Sequence, residues 1–331
     1  MVDPTQASGP AAPRSAPGEA VCVFAPVTLL TVTLENSAAD EEELHIHPGG
    51  QGVWVARMIT TLGARAVLCT PLGGETGAVI RYLLELEGIT VREIPAPGAN
   101  GAWIQDRRGG ERESIWEGEA ATLGRHEIDE LYSATLAEAM AAGVCVIAGA
   151  HETEHVLDDD VYQRLAADLA ASGVRVVADL SGPELRAVLG AGIHLVKLSH
   201  EELLADGWAE DDSDEGLLAG IARLRTGGAT NVVLSRAGAG AIAVVDDETY
   251  SVQAPELEVA DPRGAGDSMT AALAVAMTRG LTWPDALRLA AAAGGTNVTR
   301  HGSGTGRADT IVQLADRVTV SRLQEVQPSG S

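Results

Sequence analysis

Six short, almost uninterrupted apolar runs alternate with helix-length stretches along this chain, and that alternation leaves few folds open to it. The runs are Val21–Ala25, Ala66–Thr70, Val144–Ala148, Val174–Asp179, Ile193–Lys197 and Asn231–Ser235. A strand that is apolar at successive positions must be covered on both faces, which is the condition of a parallel sheet between two layers of helix. Gly52–Leu62, Thr76–Leu86, Arg125–Ala141, Val161–Ala171 and Asp214–Arg225 supply the helices, and Ala265–Val298 reads as two more, broken around Gly280–Pro284. The expected fold class is therefore α/β, a doubly wound, mostly parallel sheet flanked by helices. At 331 residues the chain can bury a sizeable core, and with aromatics at only 3% that core is aliphatic.

Two segments break the rhythm with more polar, alternating runs: residues 35–48 and 88–118. Within the second, Gly101–Arg107 and Glu111–Trp116 flank Arg108-Gly109-Gly110 and read as a hairpin. Strands outside the main sheet can form a small β lid over its carboxyl edge, where open α/β sheets bind ligands. Residues 1–20, rich in Pro, Ala, Gly and Ser, read as a disordered tail, residues 21–316 as one domain, and residues 317–331 as a C-terminal tail.

A formal charge of −24 argues against nucleic acid or an anionic membrane surface as partner, because either would be repelled. An anionic small molecule would have to be drawn in by local amides, Arg, Lys or a metal. Cys22, Cys69 and Cys145 each sit in an apolar run without C-x-x-C spacing, as buried thiols of a reducing compartment do. With no signal-peptide pattern and no span-length apolar run, the expected location is the cytoplasm.

Chemistry concentrates in three Gly-rich loops that each lead into a helix. Asp261-Pro262-Arg263-Gly264-Ala265-Gly266-Asp267-Ser268-Met269 carries the most information. The first amides of a helix lack internal partners and favour an anion, so a phosphoryl group is a natural occupant. A carboxylate at Asp267 would repel it, unless Asp267 removes a proton from the hydroxyl that attacks the phosphorus. The alternative is a Gly-rich turn with Asp267 as a helix cap. The other two loops are Pro48-Gly49-Gly50-Gln51-Gly52 and Leu72-Gly73-Gly74-Glu75-Thr76-Gly77, and neither fits the Walker or dinucleotide pattern.

In order, these elements resemble the PfkB/ribokinase family of carbohydrate kinases, nearest the branch of 1-phosphofructokinase and tagatose-6-phosphate kinase, from about Val21 to Leu314. Gly49-Gly50-Gln51-Gly52…Ala56-Arg57 is similar to its N-terminal element, and Leu72-Gly73-Gly74…Gly77 follows. Asp179-Leu180-Ser181-Gly182…Leu185, Lys197-Leu198-Ser199-His200-Glu201-Glu202-Leu203 and Ser235-Arg236-Ala237-Gly238-Ala239-Gly240 parallel later motifs, and Gly264–Met269 its C-terminal signature. The resemblance implies a ribokinase-like fold, ATP with Mg²⁺, and phosphorylation of a sugar or sugar-phosphate hydroxyl. It makes Asp267 the catalytic base and Gly264, Ala265 and Gly266 the anion hole. Lys197, Ser199, Ser235, Gly238, Gly240 and Asn297 would bind the nucleotide, and Glu202 would order Mg²⁺ through water. Gly49, Gly50, Gln51, Trp54 and Trp103 would bind a small-molecule acceptor, and the lid would also serve as a homodimer interface.

Departures from the family gather at the acceptor end. Leu29 stands where the family carries a sugar-gripping Asp, Gln51 where it has Lys and Trp54 where it has Asn, and the Thr-Arg pair of its lid strand is missing, with Asn100-Gly101-Ala102-Trp103 in its place. Losing such cations weakens the case for a phosphorylated acceptor unless Arg107, Arg112 or Arg263 compensates. A kinase for a nucleoside or other non-sugar alcohol, or a silent nucleotide-binding regulator, are the competing readings. His151-Glu152-Thr153-Glu154-His155 also satisfies H-E-x-x-H, which on a helix would suggest a zinc hydrolase. Here it follows a strand by two residues and reads as a loop.

Overall fold

The computed structural model describes residues 19–37, 41–110, 112–149, 157–300 and 302–323. Along the chain, β1 (Ala20–Phe24) is followed by β2 (Leu29–Asn36), β3 (Glu42–Gly49), α1 (Gln51–Thr61), β4 (Arg65–Leu72), α2 (Gly74–Leu86) and β5 (Thr90–Pro95). Next come β6 (Gly101–Asp106), β7 (Glu113–Gly118), α3 (Arg125–Ala142), β8 (Val144–Ala148), α4 (Asp159–Ala171), β9 (Arg175–Asp179) and α5 (Gly182–Leu189). The chain continues through β10 (Ile193–Ser199), α6 (His200–Ala205), α7 (Asp214–Gly227), β11 (Ala229–Ser235), β12 (Ala241–Val245) and β13 (Glu248–Gln253). It closes with α8 (Ala265–Thr278), α9 (Trp283–Val298), α10 (Ala308–Ala315) and β14 (Thr319–Leu323).

The main sheet has ten strands in the order β14-β13-β12-β11-β10-β9-β8-β1-β4-β5. Pairing is parallel from β5 to β11 and antiparallel from β11 to β14. From β1 the chain winds outward through β4 and β5, then returns to β8 and winds the other way. That reversal leaves a crevice beyond the carboxyl ends of β1 and β8. Successive residues of β1 serve opposite faces: Val21 and Val23 pack with α1, α8 and α9, while Cys22 and Phe24 pack with α3 and α4. All three cysteines are buried and free, as expected. Phe24 meets Tyr162 edge-on at 5.7 Å, one of the few aromatic pairs in this aliphatic core.

A second sheet, β3-β2-β6-β7, forms the lid. Its register puts Thr31, Thr33, His47, Trp103 and Gln105 on one face. Val32, Leu34, Leu44, Ile46, Ile104 and Trp116 lie on the other. Three sequence expectations need correction here. The lid begins at Leu29, not Glu35, because an apolar run with alternate partners on two faces suits a lid strand as well as a core strand. Residues 90–95, set within the lid segment, form β5 at the edge of the main sheet. Residues 319–323, set in a tail, pair with β13 as β14.

Asn100 ties lid to sheet. Its Nδ2 donates to the carbonyls of Thr28 (2.9 Å) and Pro71 (3.0 Å), and its Oδ1 accepts from Gly73 N (2.9 Å). Those three backbone groups belong to the lid entry, the end of β4 and the cap of α2. The side chain is buried, so its loss leaves them without partners in place of water. Asn100→Ala is expected to lower unfolding stability by about 2–3 kcal/mol, read as a lower urea midpoint at unchanged slope. A midpoint equal to wild type would remove Asn100 as the tie.

Candidate active site

The carboxyl ends of the central strands deliver most of the residues that matter. Asp179 ends β9, Ser199 ends β10, Ser235 ends β11, and Gly149 follows β8. Above them the first turn of α8 brings Asp267 to the crevice. A pocket of about 310 Å³ opens there, lined by Val27, Leu29, Gln51, Trp54, Trp103, Asp179, Glu202 and Asp267 among others.

Asp267 lies in the first turn of α8, with Gly264 as the N-cap residue at φ +75°, a left-handed conformation that glycine adopts without strain. A Cβ on Gly264 would also sit 2.7 Å from Ser303 Cβ. Ala265 and Gly266 occupy the first helical positions, where backbone N–H groups have no partner within the helix. Gly266 is required for a second reason: its Cβ would lie 2.3 Å from Lys197 Nζ. The ammonium thus reaches directly beneath the anion loop.

There Lys197 Nζ pairs with Asp179 Oδ1 at 3.4 Å, and Thr270 Oγ1 donates to Asp179 Oδ2 at 2.7 Å. Burial works against charge on Lys197, but Asp179, Glu202 and Asp267 together outweigh it and hold the ammonium above its usual range. Asp267 is buried, and that burial, with Asp179 nearby, pushes its carboxyl up to about 7 against the pull of Lys197. A carboxyl in that range exchanges a proton near neutral pH.

Several predicted nucleotide ligands have other employment. Lys197 is 5% exposed and committed beneath the loop, so it positions carboxylates and does not line the cavity. Ser199 caps α6: its Oγ accepts from Glu202 N (3.2 Å), while its N–H and hydroxyl donate to Glu202 Oε2 (2.6 and 2.7 Å). This capping box orients Glu202, whose other oxygen is left for the pocket. Asn297, fully buried, donates through Nδ2 to Arg263 O (2.5 Å) and accepts at Oδ1 from Thr305 N (3.2 Å). Both ends of its amide are thus spent on bracing the anion loop. Ser235 sits at the strand end, its hydroxyl on Leu198 O at 3.4 Å. The loop through Gly238 and Gly240 follows it: a Cβ at Gly238 would meet nothing within 4 Å, so that position is open, whereas one at Gly240 would lie 2.1 Å from Val252 O, so Gly240 is packed against β13.

On the acceptor side, Gly49 ends β3 and Gly50 caps α1. Gln51 Oε1 accepts from Gly149 N at 2.7 Å and so ties the start of α1 across the crevice to the loop after β8. Trp54 and Trp103 line this pocket and also a larger cavity of about 1130 Å³ under the lid. Trp116 lies apart from them, 53% exposed on the opposite lid face. Arg107, Arg112 and Arg263 all line the larger cavity, and Arg57 is bound to Glu87 (2.6 and 2.9 Å), Ser303 O and Pro48 O. Asp179 and Thr270 were not among the predicted site residues. For Asp179 the signal was present in its Asp-x-Ser-Gly motif; for Thr270 only its place one turn after Asp267 marked it. The H-E-x-x-H segment, with His151, Glu152 and His155, lies outside the described residues.

The model of the pfkB family of carbohydrate kinases matches residues 18–311. The 1-phosphofructokinase of Bacillus subtilis (strain 168) is 27% identical over 281 residues, spanning 84% of this chain and 89% of the relative. The D-tagatose-1-phosphate kinase of Bacillus licheniformis is 26% identical over 305 residues, spanning 92% and 97%. Phosphofructokinase-2 from Escherichia coli, solved in complex with fructose-6-phosphate, is similar in fold with a TM-score of 0.77 at 24% identity, covering 92% of this chain and 98% of that one. A match over nearly the whole described domain, on the same loops that build this crevice, means that the chain belongs to the pfkB family of carbohydrate kinases.

Proposed function

We propose that the protein transfers the γ-phosphoryl group of ATP to a hydroxyl of a sugar or sugar phosphate, in the manner of a 1-phosphofructokinase, with Asp267 as general base. The observation that carries this reading is Asp267 itself: a buried carboxyl near neutrality that lines the pocket from the first turn of a helix, where the opening amides have no partner within the helix. Asp267 takes the proton from the acceptor hydroxyl as its oxygen bonds to phosphorus and the bond to the leaving ADP breaks. The amides of Ala265 and Gly266 stabilise charge that develops on the phosphoryl oxygens, already oriented before reaction. Asp179, pinned by Lys197 and Thr270, and Lys197 below Gly266 keep this turn in place. Ser235, Gly238 and Gly240 border the nucleotide. Among the described residues no three acidic or imidazole side chains are grouped to hold a metal directly, so Glu202 would hold Mg²⁺ through water, where the ion would neutralise phosphate charge.

The lid's outer face supports a homodimer. Leu44 is 57% exposed, Ile46 40% and Trp116 53%, on one face of a four-stranded sheet. Such an apolar face is stable in water when a second copy covers it. Among solved relatives, phosphofructokinase-2 of Escherichia coli has a tetrameric inhibited form. Among the described residues no helix is long and apolar enough to cross a membrane.

Three outcomes are expected. With ATP, Mg²⁺ and a panel of ketohexoses, their monophosphates and nucleosides, Asp267→Asn lowers acceptor-dependent ADP release by roughly 10²–10⁴-fold while nucleotide binding persists. A variant that keeps wild-type turnover would remove Asp267 from the chemistry. Because the ionised carboxylate is the active form, kcat/KM rises with pH up to about 7 and then levels, dropping about tenfold per unit on the acid side; an acid limb centred near pH 4 would contradict this environment for Asp267. Ile46→Glu converts the dimer to monomer by light scattering, and a wild-type protein that is already monomeric would exclude the lid interface.

A further inference from the structure

The pocket at Asp267 is ill suited to a second phosphate. Among its described lining residues are four carboxylates, Asp179, Glu184, Glu202 and Asp267, and no Arg or Lys. A phosphate monoester carries nearly two negative charges at neutral pH and would meet those carboxylates with no cation on the described pocket wall, Lys197 being already paired beneath it.

Past Trp54 and Trp103 cations enter the lining: the larger cavity carries Arg57, Arg107, Arg112 and Arg263 beside Glu35, Glu87, Glu117 and Glu119. Arg107 and Arg112 flank the turn of the lid hairpin, Arg263 stands one residue before Gly264, and all three line the 1130 Å³ cavity that shares those two indoles. Asp261, itself buried, holds the lid pair: its Oδ2 lies 3.6 Å from Arg107 and 3.4 Å from Arg112. One carboxylate thus positions two guanidiniums, with a third beside them. Burial, then Arg263 and Arg107, holds the Arg112 guanidinium below its usual range, a sign of cations crowded together. Of the carboxylates on this cavity, Glu87 is bound to Arg57 (2.6 Å), Glu35 is paired with His45 (3.1 Å), Glu117 accepts from Ser114 Oγ (2.7 Å), and Glu117 and Glu119 are exposed to water at the lid edge. Gln105 is 5% exposed on the same wall, and its Oε1 has no partner. A buried orphan acceptor calls for a donor such as a hydroxyl.

We propose that Arg107, Arg112 and Arg263 form a docking site for a phosphate monoester carried by the acceptor, with the acceptor's carbon skeleton lying along Trp54 and Trp103 toward Asp267. This rests on the reading of Asp267 as the phosphorylating base. Guanidinium forks match phosphate oxygens in geometry and charge, and in a chain of net charge −24 such a cluster is the local attraction that an anionic acceptor needs. The site lies on the lid and the anion loop, so an acceptor bound there joins the two.

The test compares kcat/KM for ketohexose monophosphates with that for the free ketohexoses, in wild type, Arg112→Gln and Arg263→Gln. The ratio is expected to fall at least tenfold in each variant, through KM. Arg263 is exposed and makes no ion pair among the described residues, so its variant decides the matter if Arg112→Gln fails to fold. In parallel, calorimetric binding of a ketohexose monophosphate to Asp267→Asn protein should weaken at least tenfold when Arg263→Gln is added. An unchanged ratio together with unchanged binding overturns the docking site even where ADP release still depends on Asp267. Loss of monophosphate binding in the Arg263 variant with no ADP release from any acceptor upholds the site and overturns the kinase reading instead.

Discussion

Everything in the crevice depends on one close approach, that of the Lys197 ammonium to Gly266. The lysine rises from the end of β10 into space that any side chain on Gly266 would fill. There it offsets three carboxylates, Asp179, Glu202 and Asp267, that could not share a buried volume without it. The helix can begin at this point only because Gly264 takes a left-handed conformation. Backbone geometry and charge balance are therefore one constraint: the anion loop is where it is because a cation sits below it.

From this centre the two ends of the site acquire opposite characters. The phosphoryl end is rigid and polar, with each side chain assigned: Ser199 to Glu202, Thr270 to Asp179, Asn297 to the carbonyl of Arg263. The acceptor end is more apolar, with Leu29, Trp54 and Trp103 on its walls. Its polar contacts are displaced outward under the lid. A fold shared by a whole family can in this way keep its chemistry and change its acceptor, since the two sets of residues come from different elements. The chemistry is held by α8 and the ends of β9 and β10, and the acceptor is met by lid strands and α1.

Much of the architecture was legible because a strand buried on both faces has no choice but to be apolar throughout. β1, β4, β8, β9, β10 and β11 each fall within a few residues of their predicted runs. The edges were not legible in the same way. β5 is half exposed, β14 is exposed at every position but Val320, both are mixed in composition, and only their neighbours' unpaired backbone makes them strands. The lid was placed in part, since alternation marks a sheet with one wet face but does not say which of two sheets a strand joins.

Alone, the sequence determined the alternating sheet, the Gly-rich turns into helices, and the pairing of a carboxylate with an anion-binding helix start. Each of these is a local matter, set by burial pattern, glycine freedom and the unpaired amides of a first helical turn. Tertiary structure alone decided what those parts face. Asn297 became a brace, Lys197 a buried counter-ion, and Gln51 a tie to Gly149, because hydrogen-bond partners come from residues distant in the chain. Arg107, Arg112 and Arg263 became one cluster only when the lid folded down onto Asp261. Charge acts through space, and the distances it acts over are set by packing.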